Sequence, residues 1–129
     1  MTSVLNVDTI ADKAGTGPVA LTKQSAAKAL CHVSADGTTA SNTLNISSLD
    51  DDGSGDRGVN FTAAMGNATY IVCLTSDDGA TGAQTRQADT TNGTMTSSSF
   101  DFENYFVNSS NNRTNVDSIN YVAVHGDLA

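Results

Sequence analysis

Tryptophan is absent from this 129-residue chain, proline occurs once, and 6 Lys+Arg stand against 14 Asp+Glu. Each scarcity excludes something. At a formal net charge of −8, with no basic stripe, a phosphate backbone finds no footing, so nucleic-acid binding is not expected. Anionic membrane surfaces are disfavoured for the same reason. No apolar run approaches the roughly 18–20 residues that a spanning helix requires. Nor does Met1–Ala20 show the basic start and continuous apolar core of a secretory signal. Paired carboxylates for sugar cleavage are poorly prepared where Trp is missing and aromatics make up 5% of the chain.

The motif inventory is equally short. There is no GxSxG, CxxC, HExxH or phosphate-cradling glycine loop. The two histidines, His32 and His125, each sit in an apolar strand-like segment without HisXxxHis spacing, and a structural role is expected for both. Asp50, Asp52, Ser54 and Asp56 mimic the start of a calcium loop, with Gly55 sixth. Its twelfth position, however, holds Phe61 where a bidentate acid is needed. A solvated acidic hairpin turn is the expectation there. Six AsnXxxSer/Thr sequons begin at Asn45, Asn60, Asn67, Asn92, Asn108 and Asn112. They follow from abundant Asn, Ser and Thr, and would matter only in a eukaryotic secretory setting. No catalytic residue, metal ligand or cofactor is expected, and the chain does not read as an enzyme. Cys31 and Cys73 lie in apolar runs and are expected unbridged, since disulfides are uncommon in a reducing cytosol.

What is abundant settles the class. Thr (17), Ser (14), Asn (12) and Gly (11) supply 54 of 129 residues, a composition that opposes helices and favours strands and turns. Regular apolar-polar alternation then argues for one folded all-β domain, an antiparallel β-sandwich or barrel of six to eight short strands. Residues 1–23 read as an extended N-terminal arm and connector, and 24–129 as the β domain. Ser3–Ile10 (SVLNVDTI) is a short extended segment, and Ala14–Pro18 holds two glycines and the single proline. The segment suits either a neighbour-contacting arm, through Val4, Leu5, Val7 and Ile10, or the first edge strand of its own domain.

Within the domain, Lys28–Ser34 reads as a strand and Asp36–Asn42 as a turn. Residues 43–49 and 58–64 alternate around the acidic loop 50–56, which predicts a hairpin. This alternation places Leu44 and Ile46 on one face, and Val59 and Phe61 together. Thr69–Thr75 is the most apolar run and is expected as a central strand buried on both faces. In Met95–Val107, Phe100 and Phe102 fall out of phase with Tyr105 and Val107, predicting a bulge near Glu103 or Asn104. Ser118–His125 closes the domain. The expected core is Leu44, Ile46, Val59, Phe61, Ile71, Val72 and Val124.

Three stretches carry a resemblance: Ser3–Ala29, the hairpin Leu44–Met65, and the closing Ser118–Gly126. Together they resemble recurrent segments of tailed-bacteriophage virion proteins, many of them tail-fibre or tail-associated. The order of segments and the wording of the hairpin agree. One departure is Ala29–His32, where relatives commonly place an aromatic after the Ala-Lys pair.

The resemblance implies a non-enzymatic virion protein. A small acidic module that starts at Met1, with an arm and no shaft, is expected to be a capsid decoration (cement) protein. Its expected partners are the major capsid protein and copies of itself, as a homotrimer, in a virion assembled in the bacterial host cytoplasm. The alternative is a tail-fibre or tail-associated module, whose loops 77–82, 89–93 and 108–115 contact a host surface receptor.

Overall fold

The computed structural model describes residues 26–77, 86–90 and 95–129. The proposed arm and connector, the Asn-Gly turn at Asn92–Gly93 and most of loop 77–82 lie outside these residues. Nine strands form among them, and no helix: β1 (Ala29–Val33), β2 (Ala40–Leu44), β3 (Ile46–Gly53), β4 (Asp56–Phe61), β5 (Ile71–Asp77), β6 (Gln87–Asp89), β7 (Ser99–Val107), β8 (Arg113–Asn115) and β9 (Ile119–His125).

Two antiparallel sheets result. Sheet I has the order β2-β1-β9-β5, and sheet II the order β3-β4-β7-β6, with β8 paired to β7. Packed together they make a small β-sandwich. The interior is built by alternation: Ala29, Cys31 and Val33 of β1 and Val122 and Val124 of β9 face Val59, Phe61, Phe100 and Phe102 of sheet II. Four rings fill one end. Phe61 and Tyr70 meet edge-on at 5.5 Å, Phe61 and Phe100 lie 6.0 Å apart, and Phe100 and Phe102 stack at 6.1 Å. Each such side chain contributes about 1.5–3 kcal/mol by leaving water. The Tyr70 hydroxyl donates to the Ser99 carbonyl at 2.7 Å, so its one polar atom is satisfied. Burial pushes that phenol up to about 12.

The other end of the interior is polar. Asn104 of β7 and Asn120 of β9, both fully buried, exchange amide hydrogen bonds at 3.0 and 2.7 Å across the two sheets. Ser76 of β5 joins them, donating to Asn104 Oδ1 at 2.6 Å and accepting from Asn120 Nδ2 at 2.9 Å. Every atom of this amide pair has a partner, which is what makes its burial tolerable.

Arg57 provides the third fastening. It points inward from β4 and is 2% exposed. Its Nη1 donates to Asp51 Oδ1 (2.6 Å) and to the carbonyls of Gly53 (2.5 Å) and Asp56 (2.8 Å). Its Nη2 donates to Ala35 O (3.2 Å) and Asp117 Oδ1 (2.8 Å). One guanidinium thus ties the β3–β4 hairpin, the β1–β2 turn and the approach to β9. Gly37, at φ +72°, lies against its side chain so closely that a β-carbon there would collide with it.

Several expectations are corrected. Leu44, expected in the core, is 49% exposed, and Ile71 is 65% exposed. Leu44 ends β2 while Ile46 begins β3, and Asn45 between them is left-handed at φ 56°, so the two share no face. Asn45 is held there by reciprocal bonds with the Ala63 backbone, its Nδ2 donating at 3.0 Å and its Oδ1 accepting at 2.7 Å. The run Ile71–Thr75 belongs to β5, an edge strand of sheet I rather than a central one, and Ile71, Cys73 and Thr75 face outward. Val59, Phe61 and Val124 are buried, while Ile46 and Val72 are half-buried against the core.

The acidic hairpin turn is shorter than expected. Asp50, Asp51, Asp52 and Gly53 extend β3, and only Ser54 and Gly55 turn the chain. No bulge interrupts β7 at Glu103 or Asn104, where pairing with β6 runs in register from Glu103 to Tyr105. Instead Asn104 turns inward to its polar partner, while Glu103 is covered from outside by its ion pair with Arg113.

Candidate interaction surfaces

The outward faces of the two sheets have opposite chemistry. On sheet I the register aligns Leu44, Leu30, Ala123 and Cys73 in one row, and Ser41, His32, Tyr121 and Thr75 in the next. Ile71 stands opposite His125 at the end of the sheet. Leu44, Ile71 and Tyr121 each expose about half or more of their surface: 49%, 65% and 50%. His32 Nδ1 lies 2.9 Å from Ser41 Oγ, and its ring is tilted 5.1 Å from that of Tyr121. These side chains border an open hollow of about 420 Å³, lined also by Leu30 and Asn42.

Sheet II turns acids outward. Asp50 and Asp101 flank Gly58 in one row. A β-carbon at Gly58 would lie 3.1 Å from Asp101 Oδ1 and from Asp50 Cβ, so glycine leaves room for the two carboxylates. Asn60 Nδ2 steadies Asp50 at 2.7 Å. The carboxyl of Asp56 is pushed above the usual range by partial burial and by the charges of Glu103, Asp52 and Asp101, against which Arg57 pulls downward. Arg113 pairs with Glu103 and lies 3.9 Å over the Tyr105 ring, which caps this face with a cation–π contact.

His32 is therefore engaged in a strand-to-strand contact. Cys31 is buried and Cys73 exposed, on opposite faces of sheet I, and both are free thiols. Burial pushes the Cys31 thiol up to about 11, which keeps it protonated and unreactive. Among the described residues, no group of three or more His, Cys, Asp or Glu is placed to hold a metal ion. Asp50, Asp52 and Asp56 lie along the outer face of a hairpin rather than around a common centre. Among the described residues there is no helix, and so none long and apolar enough to cross a membrane.

The arm residues Val4, Leu5, Val7 and Ile10 lie outside the described residues. The apolar outer face is not announced by the hydrophobic pattern, which places Leu44 and Ile71 in the interior. The alternation of Ser118–His125 does put Tyr121 opposite Val122 and Val124, and that was the available signal. No protein family, curated protein or solved structure matches this chain.

Proposed function

We propose that this chain is a non-enzymatic structural protein of a bacteriophage virion, a capsid decoration protein that bridges capsid subunits from outside the head. The observation that carries this reading is the contrast of the two faces: a sandwich with an exposed apolar row on one outer face and acids on the other has a side for docking and a side for water. The apolar row of Leu44, Leu30, Ala123 and Cys73, with Tyr121 and Ile71 beside it, rests on the major capsid protein. Residues 3–10 reach a neighbouring subunit. Each contact is modest, and many copies acting together resist internal pressure through avidity. The fully bonded Asn104–Asn120 pair and the Arg57 node suit such work, since they fix the two sheets against sliding.

Imaging the intact particle tests this directly. Density for the chain at capsomer junctions, in hundreds of copies, is the expected result. A handful of copies confined to the tail would replace it with host-receptor binding by a tail module. Removing residues 1–12 is expected to abolish capsid association while the β-sheet circular dichroism persists. Undiminished binding would take the arm out of the function.

A further inference from the structure

Besides the three-residue β8, the outer strands β2, β3, β5 and β6 differ in how they close their ladders. β2 carries a register shift against β1 and a left-handed Asn42 at φ 50°. β3 carries two shifts and three consecutive aspartates, and β6 is three residues long. Bulges, charges and brevity are the usual protections of a strand edge against unwanted pairing. β5 has no such protection over most of its length. It pairs with β9 in unbroken register from Ile71 to Asp77, and it holds no proline, lysine or bulge. Among the described residues, Ile71–Ser76 make backbone hydrogen bonds to β9 alone. Their inward side is also incompletely covered. Val72 and Leu74 are only half-buried, whereas Val122 and Val124 beside them on β9 are 4% and 0% exposed.

We propose that the edge of β5, unpaired among the described residues, receives residues 3–10 of a second copy of this chain as an added strand. The inference rests on the assembly reading above and names the neighbour that the arm reaches. The lengths agree: eight residues of SVLNVDTI meet a seven-residue edge. The alternation agrees as well. Leu5 and Val7 share one strand face and cover Val72 and Leu74, and Asn6 then lies on the outer face with Cys73. Main-chain bonds give the affinity and the alternating side chains give the register.

A second copy is the better donor because of where the chain enters the sheet. Lys28 N–H bonds Val124 O at 2.7 Å, so the described chain begins beside β1, with β9 between that point and β5. To reach its own β5, the arm would have to pass the end of β9 and the segment that follows. That segment is held by bonds from Gly66 N–H to Asp127 O (2.6 Å) and from Ala129 N–H to Ala64 O (3.0 Å). A copy alongside needs no such detour, and the 15 residues from 11 to 25 extend up to about 50 Å.

Asn6→Cys provides the test, since Cys73 is exposed while Cys31 is buried. Mild oxidation of the purified full-length variant is expected to give covalent dimers or larger species that reductant dissolves. Leu5→Cys is expected to cross-link about tenfold less, because neighbouring side chains on a strand point to opposite faces. Native protein should sediment as two or more copies, and protein lacking residues 1–12 as one. A disulfide formed within a single chain, equal cross-linking at positions 5 and 6, or native protein sedimenting as one copy would each overturn the proposal. Capsid binding is scored separately. Protein that exchanges arms yet ignores shells keeps this inference and removes the function proposed above.

Discussion

Sheet I and sheet II share one interior yet turn opposite chemistries outward, and the difference follows from a few residues. On sheet II every second residue of β3 and β4 around Gly58 is Asp, Ser, Asn or Gly, so the outer face is acidic. On sheet I the same alternation delivers Leu30, Tyr121, Ala123 and Cys73 to the surface. A sandwich needs only its inner faces to be apolar. Sheet II is not wholly polar outside, since Tyr105 lies under Arg113 and Val107 is 46% exposed near its end, but its acids outnumber them, whereas sheet I gathers Leu44, Leu30, Ala123 and Cys73 into one row.

The largest expected effect comes from what both faces stand on. Phe100→Ala, at the centre of the aromatic cluster, should cost about 3–5 kcal/mol in denaturant unfolding and weaken both sheets alike. Next comes the fastening between the sheets. Asn104→Ala strands the buried Asn120 amide and should cost about 1–3 kcal/mol. Replacing Asn104 and Asn120 together by Leu should cost less than the sum of the two single changes, as a double-mutant cycle would reveal.

The third test separates the faces themselves. Ile71→Asp with Tyr121→Asp should leave stability within about 1 kcal/mol while capsid or self-association falls tenfold or more. Asp50→Lys on the acidic face should leave both unchanged. Equal losses from the two faces would erase the distinction between them.

The smallest effect is on pH dependence. Asp56 has its folded-state pKa raised, so folding binds its proton more tightly than the unfolded chain does. Its stabilising influence is complete below the unfolded value and is lost as pH rises through the folded one. Asp56→Asn should therefore raise stability at neutral pH, by less than about 0.5 kcal/mol for a group only partly buried, and leave it unchanged in acid. Thermal unfolding across the acidic range reads this out.

Much of the sandwich was legible in advance because period-two alternation is a local signal. Val59 and Phe61 in β4, Phe100 and Phe102 in β7, and Val122 and Val124 in β9 all follow it to the interior. What was not legible depends on which strand neighbours which. The apolar run of β5 reads as central, yet whether such a run is central or at an edge is decided by pairing far along the chain. Leu44 failed for a different reason. One left-handed asparagine reverses the phase, and nothing in the hydrophobic pattern announces it. A lone cation among aspartates reads as a solvated partner, yet Asp51, Asp117 and three backbone carbonyls draw Arg57 inside. The apolar outer face was hidden by the same two misplacements, of Leu44 and Ile71.

The packing of Arg57 against Gly37 has a consequence for how the molecule assembles and diverges. The guanidinium fills the space that a side chain at position 37 would need, so the β1–β2 turn takes its final shape only with the hairpin already in place beneath it. Two segments twenty residues apart are thereby made to mature together. Over evolutionary time, a larger residue at 37 needs both a smaller residue at 57 and a side chain that tolerates the left-handed backbone at φ +72°.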